Sequence, residues 1–171
     1  MIEHELILLG LLKESPKHGY EIKRKIREIL FLFAGVDVKS VYYPLGILEK
    51  KGLVLRRINK QGRRPERIVY ELTKKGQSRF DELLNKSFLN FKRPQFSLDL
   101  SLYFLHYMEP NITRRLLRAR MLVLNKLSGD LKQMVFNLRK KKVISLIYIL
   151  EHNLLMVETE YRFLSSLIKI L

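Results

Sequence analysis

Between Ile147 and Leu171 the residues Ile147, Leu150, Leu154, Val157, Tyr161, Leu164, Ile168 and Leu171 follow one another at alternating spacings of three and four. Only a helix gathers such a row onto one stripe, and a row this long is the seam of helices packed lengthwise. The spacing predicts a helix over 143–171, roughly 40 Å long at 1.5 Å per residue. Leu117, Leu124, Leu127, Leu131, Met134 and Leu138 nearly repeat the pattern inside a second predicted helix, 111–138, with Arg120 as the one polar residue in the row. A third helix is predicted over 97–108. The final helix is longer than one small domain needs. Its eight seam residues are therefore expected to meet a second subunit in part, with an intramolecular hairpin of the two long helices as the alternative.

The first half is built from shorter pieces. Apolar residues at helical spacing predict a helix over 2–13, and Ser15-Pro16-Lys17-His18-Gly19 breaks it. A second helix follows from about His18 to Leu30, and Gly35 to Asp37 reads as a turn. A third covers Ser40 to Lys51 and stops at Gly52, a residue suited to a left-handed terminus. Leu53–Ile58 and Arg67–Leu72 read as strands joined by the loop Asn59 to Pro65, and Thr73 as the N-cap of a helix reaching Lys86 or beyond. Helix, helix, helix, hairpin and helix, in that order, is the plan of a winged helix-turn-helix. The pattern lapses around Lys92-Arg93-Pro94-Gln95, which sets the expected domains at 1–92 and 93–171. The fold class is mainly α: a winged helix-turn-helix with a two-stranded β wing, then an all-α dimerisation domain.

Charge points to the partner. The chain has 33 Lys and Arg against 17 Asp and Glu among 171 residues, a formal charge of +16. Such an excess favours polyanions, with nucleic acid ahead of an anionic membrane. The excess peaks between Lys50 and Arg67, where eight basic side chains face Glu66 alone. On the third helix Val41, Leu45 and Leu48 share the face suited to burial, leaving Tyr42, Tyr43, Gly46 and Lys50 on the other. Two hydroxyls, a lysine and a missing side chain suit a major groove, where tyrosine bonds phosphate or base edges and glycine permits close approach. Lys39 and Ser40 stand at the helix start, where the dipole favours phosphate. In the hairpin, Lys60, Arg63, Arg64 and Arg67 are free to follow a DNA backbone or enter a minor groove. Packing of either tyrosine beneath the wing is the competing reading.

Other chemistries find no residues. With no Cys and four scattered His, neither a disulfide framework nor a zinc site is expected. No nucleophile elbow, phosphate loop or dinucleotide fingerprint occurs, so the chain reads as no enzyme and needs no cofactor. Asp99, His106, Glu151 and His152 interrupt the most apolar stretches, and Glu3, His4 and Glu5 stand where a leader would be basic. The expected setting is soluble and cytoplasmic. His18, at a helix start, reads as a capping or packing residue. Phe88, Phe91, Phe96, Tyr103, Phe104 and Tyr107 cluster near the domain junction, and core packing between the domains is their first reading. Tyr103, Phe104 and Tyr107 are the candidates should a small effector bind there. Arg139 to Lys142 reads as a solvated turn between the two long helices.

The same residues resemble the PadR family of bacterial and archaeal transcriptional regulators. The resemblance is carried by Leu8 to Leu12 followed by Pro16 to Ile22, by Ser40 to Tyr43 with Leu45, Leu48, Glu49 and Gly52 to Val54, by Gly62 to Pro65, and by Tyr70 to Gly76. It implies a winged helix, a helical dimerisation domain, and a homodimer on an inverted-repeat operator in double-stranded DNA. It also implies control of transcription, as a repressor, often through aromatic or drug-like effectors. Pro44, Gly46 and the apolar run Ile29 to Phe33 depart from the family pattern, so base preference does not carry over. A non-specific RNA-binding or architectural module and a protein-interaction scaffold are the rival functions.

Overall fold

A computed structural model describes residues 2–29, 40–59, 67–90, 98–141 and 144–171. The chain forms two compact units, Met1–Arg93 and Pro94–Leu171. The expected boundary, and the turn at Gly35 to Asp37, fall outside the described residues.

In the first unit, α1 (Ile2–Glu14) runs into a short strand β1 (Lys17–His18), and α2 (Gly19–Ile29) follows directly. Leu8, Leu9, Leu11 and Leu12 of α1 are all buried, joining Ile22 and Ile26 of α2 in the core. Ser15 and Pro16 end α1 as expected, and the freed carbonyls are capped by a side chain. The buried ammonium of Lys17 donates to the Leu11 carbonyl at 2.7 Å and to Ser15 Oγ at 2.8 Å. Cations are favoured at this end of a helix.

The helix α3 (Tyr42–Lys50) leads into β2 (Val54–Asn59), β3 (Arg67–Leu72) and α4 (Lys74–Leu89). Gly52, with φ +70°, closes α3 in a Schellman motif. Its N–H bonds the Glu49 carbonyl at 2.8 Å and the Leu53 N–H bonds that of Leu48 at 2.9 Å, with Leu48 and Leu53 both buried. Thr73 caps α4, accepting from the Gly76 N–H at 2.9 Å while its hydroxyl donates back to the Gly52 carbonyl at 2.8 Å. One side chain thus fastens the start of α4 to the end of α3.

The sheet has three strands in the order β1–β3–β2, all antiparallel, where the sequence reading has two. The segment read only as a helix break pairs Lys17 with Tyr70 and His18 with Val69. A two-residue strand shows no alternation, so its signal lies in a partner some fifty residues away.

In the second unit the predicted 97–108 helix divides into α5 (Asp99–Tyr103) and a 3-10 turn, Leu105–Tyr107. Two long helices follow, α6 (Pro110–Lys141) and α7 (Ile144–Ile170), packed as an antiparallel hairpin. Arg139, Lys140 and Lys141 form the last turn of α6, not a turn between helices, and Arg139 pairs with Glu151 at 2.6 Å. The hairpin uses the long seam inside the chain. Leu150 and Leu164 are fully buried, and Val157, Ile168 and Leu171 pack on a cluster of Leu117, Leu124 and Leu164. Leu150 and Leu164 are therefore unavailable to a second subunit.

The α6 stripe also shifts. Ser128 and Val135 are buried where Leu127 and Met134 were expected, and Leu127 is 43% exposed. A straight helix at 3.6 residues per turn drifts about 20° per heptad against a strict seven-residue row, which carries the stripe onto the next residue.

Candidate nucleic-acid interface and a C-terminal cavity

The two faces of α3 divide as the sequence predicts. Val41, Leu45 and Leu48 are buried, while Tyr42 is 55% and Tyr43 75% exposed. Lys50 is exposed in the last turn, and a Cβ on Gly46 would meet nothing within 4 Å. Pro44 fits because a first-turn N–H has no partner inside the helix. Ser40 is exposed but does not cap the helix. The cap position belongs to Val41, which offers no side-chain bond and is held there by burial.

Tyr42 is neither buried under the wing nor loose. Its ring lies over Gly19, the first residue of α2, so closely that a Cβ there would stand 2.5 Å from Tyr42 Cε1. Gly19 is fixed by its neighbours. The His18 N–H donates to Glu21 Oε2 at 2.7 Å, half of a capping box. His18 Nδ1 lies 2.9 Å from the Ile68 carbonyl oxygen, which only accepts, so this nitrogen carries the ring proton. Tyr20, also exposed, stacks on the His18 ring at 5.6 Å. His18, Gly19 and Tyr20 escaped the sequence reading as parts of this surface, because their value is a contact with α3 and β3.

The wing rises from β2 and β3. Arg57 and Glu71 pair across the strands at 2.8 Å. On the inner face burial pushes the Tyr70 hydroxyl up, against the pull of the Arg56 guanidinium, so it stays protonated. Arg67 opens β3 opposite Asn59, with its side chain outside the described residues. Lys39, Lys60, Arg63 and Arg64 also lie outside them. The structure therefore brings together Tyr42, Tyr43, Gly46 and Lys50 on one helix face, and Tyr20 beside the seat of Tyr42.

Within the second unit, α5, the 3-10 turn and the start of α6 enclose a cavity of about 610 Å³. Phe104 and Tyr107 line it with Leu98, Leu116, Leu117 and Arg120. Tyr103 is not in the wall, but its ring meets Phe104 edge-on at 4.9 Å. Phe88 is exposed, and Phe91 and Phe96 lie outside the described residues. Among the described residues no cluster of acidic and imidazole groups is placed to hold a metal, and no helix is long and apolar enough to cross a membrane.

Residues 8–82 match the family model of the PadR-like transcriptional regulators. No curated protein matches the chain by sequence. Among solved structures it is similar to the PadR of Bacillus subtilis in complex with operator DNA, at 20% identity and a TM-score of 0.78, over 97% of each chain. The same regulator in complex with p-coumaric acid aligns at 18% identity and a TM-score of 0.73, over 97% of this chain and 93% of that one. A PadR-like transcriptional regulator of Bacillus cereus aligns at 16% identity and a TM-score of 0.68, over 97% and 96%. At these identities the likeness is one of fold.

Proposed function

Residues 8–82 of the chain are a PadR-like domain, and from that premise we propose a cytoplasmic, homodimeric transcriptional repressor that binds an inverted-repeat operator. The observation that carries the reading is α3. A helix with one face buried presents two exposed tyrosines and an open glycine, beside a hairpin whose sequence is dense in arginine. The N-terminal unit serves as the DNA-binding domain. Each subunit lays α3 in a major groove and sets the Lys60–Arg67 wing, with Lys39 and Ser40, on the flanking backbone. Two copies then sit about 34 Å apart, one DNA turn. The operator complex of the Bacillus subtilis regulator supports this arrangement by likeness of fold.

The C-terminal unit holds the dimer. With Leu150 and Leu164 committed inside the hairpin, the face left for a partner is a second apolar stripe. Ile112, Leu116, Val123 and Leu127 of α6 fall on one side of the hairpin, with Met156 and Phe163 of α7, each between 38 and 67% exposed. Single-chain proteins seldom leave so continuous an apolar strip in water. The cavity beside it, walled by Phe104 and Tyr107, is the proposed effector site.

Binding of a labelled duplex recovered from a random library tests the reading. Replacing Arg63 and Arg64 by Ala is expected to weaken binding about tenfold or more on all sequences. It should also lower the salt slope by about one for each phosphate that is no longer neutralised. An arginine pair without effect on affinity or salt dependence refutes the arrangement. Recovery of duplexes without a common sequence favours the architectural module instead.

A further inference from the structure

The effector cavity carries its own statement about ligand charge. Among the described residues that line it, Arg120 alone is charged, and the other walls are leucine, phenylalanine, tyrosine, methionine, serine and threonine. The Thr113 hydroxyl is already used, bonding the Glu109 carbonyl at 3.1 Å. Arg120 is engaged as well: its Nε meets Glu160 Oε1 at 2.6 Å, across the gap between α6 and α7. Both side chains are about two-thirds buried or more. A charge pair so placed is held strongly, yet its carboxylate half can be replaced by another carboxylate without leaving the guanidinium unpaired.

We infer that Arg120 reads the head group of the effector, which is a monoanion with an apolar body of one or two rings, and that the ligand carboxylate takes the place of Glu160 on the guanidinium. This rests on the reading of the cavity as the effector site. The apolar walls exclude a highly charged ligand, because only one countercharge is present and burying a second charge unpaired is costly. The exchange has a mechanical consequence. Arg120 and Glu160 join the two long helices, and the pair lies on the side of the hairpin that carries Leu116 and Val123. Ligand binding thereby releases a tie at the edge of the proposed dimer face.

The test uses the full chain and two probes of one shape, 2-naphthoate and its uncharged amide 2-naphthamide, with binding followed by calorimetry. The acid is expected to bind about tenfold more tightly than the amide. Arg120→Met should erase that preference. Glu160→Gln, which removes the competitor and leaves the guanidinium, should tighten naphthoate severalfold and leave naphthamide unchanged. The two variants break the same ion pair, so a clasp with a structural role alone shifts both in one direction. Opposite shifts support the assignment, and shifts of one sign overturn it. Equal binding of acid and amide by the unaltered chain overturns it while leaving the cavity an effector site. Binding of neither probe removes both readings. Duplex binding measured in parallel judges the DNA reading separately.

Discussion

A single methyl group added at Gly19 separates folding from recognition. The new Cβ would stand 2.5 Å from Tyr42 Cε1, against the 3.5–4.0 Å at which carbon atoms rest in contact. The ring must therefore retreat by about 1 Å or more. It is 55% exposed and can swing into solvent, at a rotamer cost of about 0.5–1.5 kcal/mol. Alanine is the better helix former by up to about 1 kcal/mol, which offsets most of that. Gly19→Ala should thus alter stability by less than about 1 kcal/mol, a few degrees in melting temperature for a domain of this size. Duplex affinity should suffer more, about tenfold or 1.4 kcal/mol, because the displaced ring opens the DNA-facing side of α3. Fluorescence anisotropy in a double-mutant cycle with Tyr42→Ser measures the coupling. Once the ring is gone the methyl meets nothing, so Gly19→Ala should cost no further affinity. An equal loss in both backgrounds refutes the argument, as does a melting temperature that collapses with Gly19→Ala alone.

Two further perturbations address the C-terminal unit. Leu164→Ala empties a fully buried position between α6 and α7 and should cost about 2–5 kcal/mol of stability, read from chemical denaturation. Phe163→Glu, one residue away on the exposed side, should leave the hairpin folded and shift sedimentation from dimer to monomer; a persisting dimer excludes that face. Acidity acts through the same hairpin, where Lys132 bonds Glu158 at 2.7 Å and holds its carboxyl below the ordinary 4.5. A carboxylate depressed in the folded state stabilises fully above its ordinary value, and the contribution disappears as pH falls through the lowered one. Melting below pH 4.5 should therefore be less acid-sensitive in Lys132→Met, and an unchanged acid slope would count against the pair.

What the sequence made legible is what depends on near neighbours. The stop at Gly52, the Thr73 cap and the buried face of α3 each need only residues within one or two turns, and all three stand in the structure. Contacts across the chain are different. The strand at Lys17 and His18 exists through Tyr70 and Val69, and the role of His18 through Ile68. The α7 row predicted a seam but not its owner, since spacing alone cannot separate a helix of the same chain from one of another. Burial decides that for Leu150 and Leu164.

The same distinction governs where specificity resides. α3 is secured at both ends by groups that take no part in reading DNA: Gly19 seats Tyr42, while Gly52 and Thr73 lock the last turn. Its outward positions are thereby released from any duty to folding. Gly46 makes the point, for it lies inside a helix, where glycine costs about 1 kcal/mol relative to alanine, and no atom within 4 Å would obstruct a Cβ. Packing therefore gives no reason for glycine there, and the one surface its bareness serves is the outer one. A helix fixed at its ends and unconstrained on its exposed face is a scaffold on which Tyr43, Gly46 and Lys50 can change with the operator while the fold beneath them stays the same.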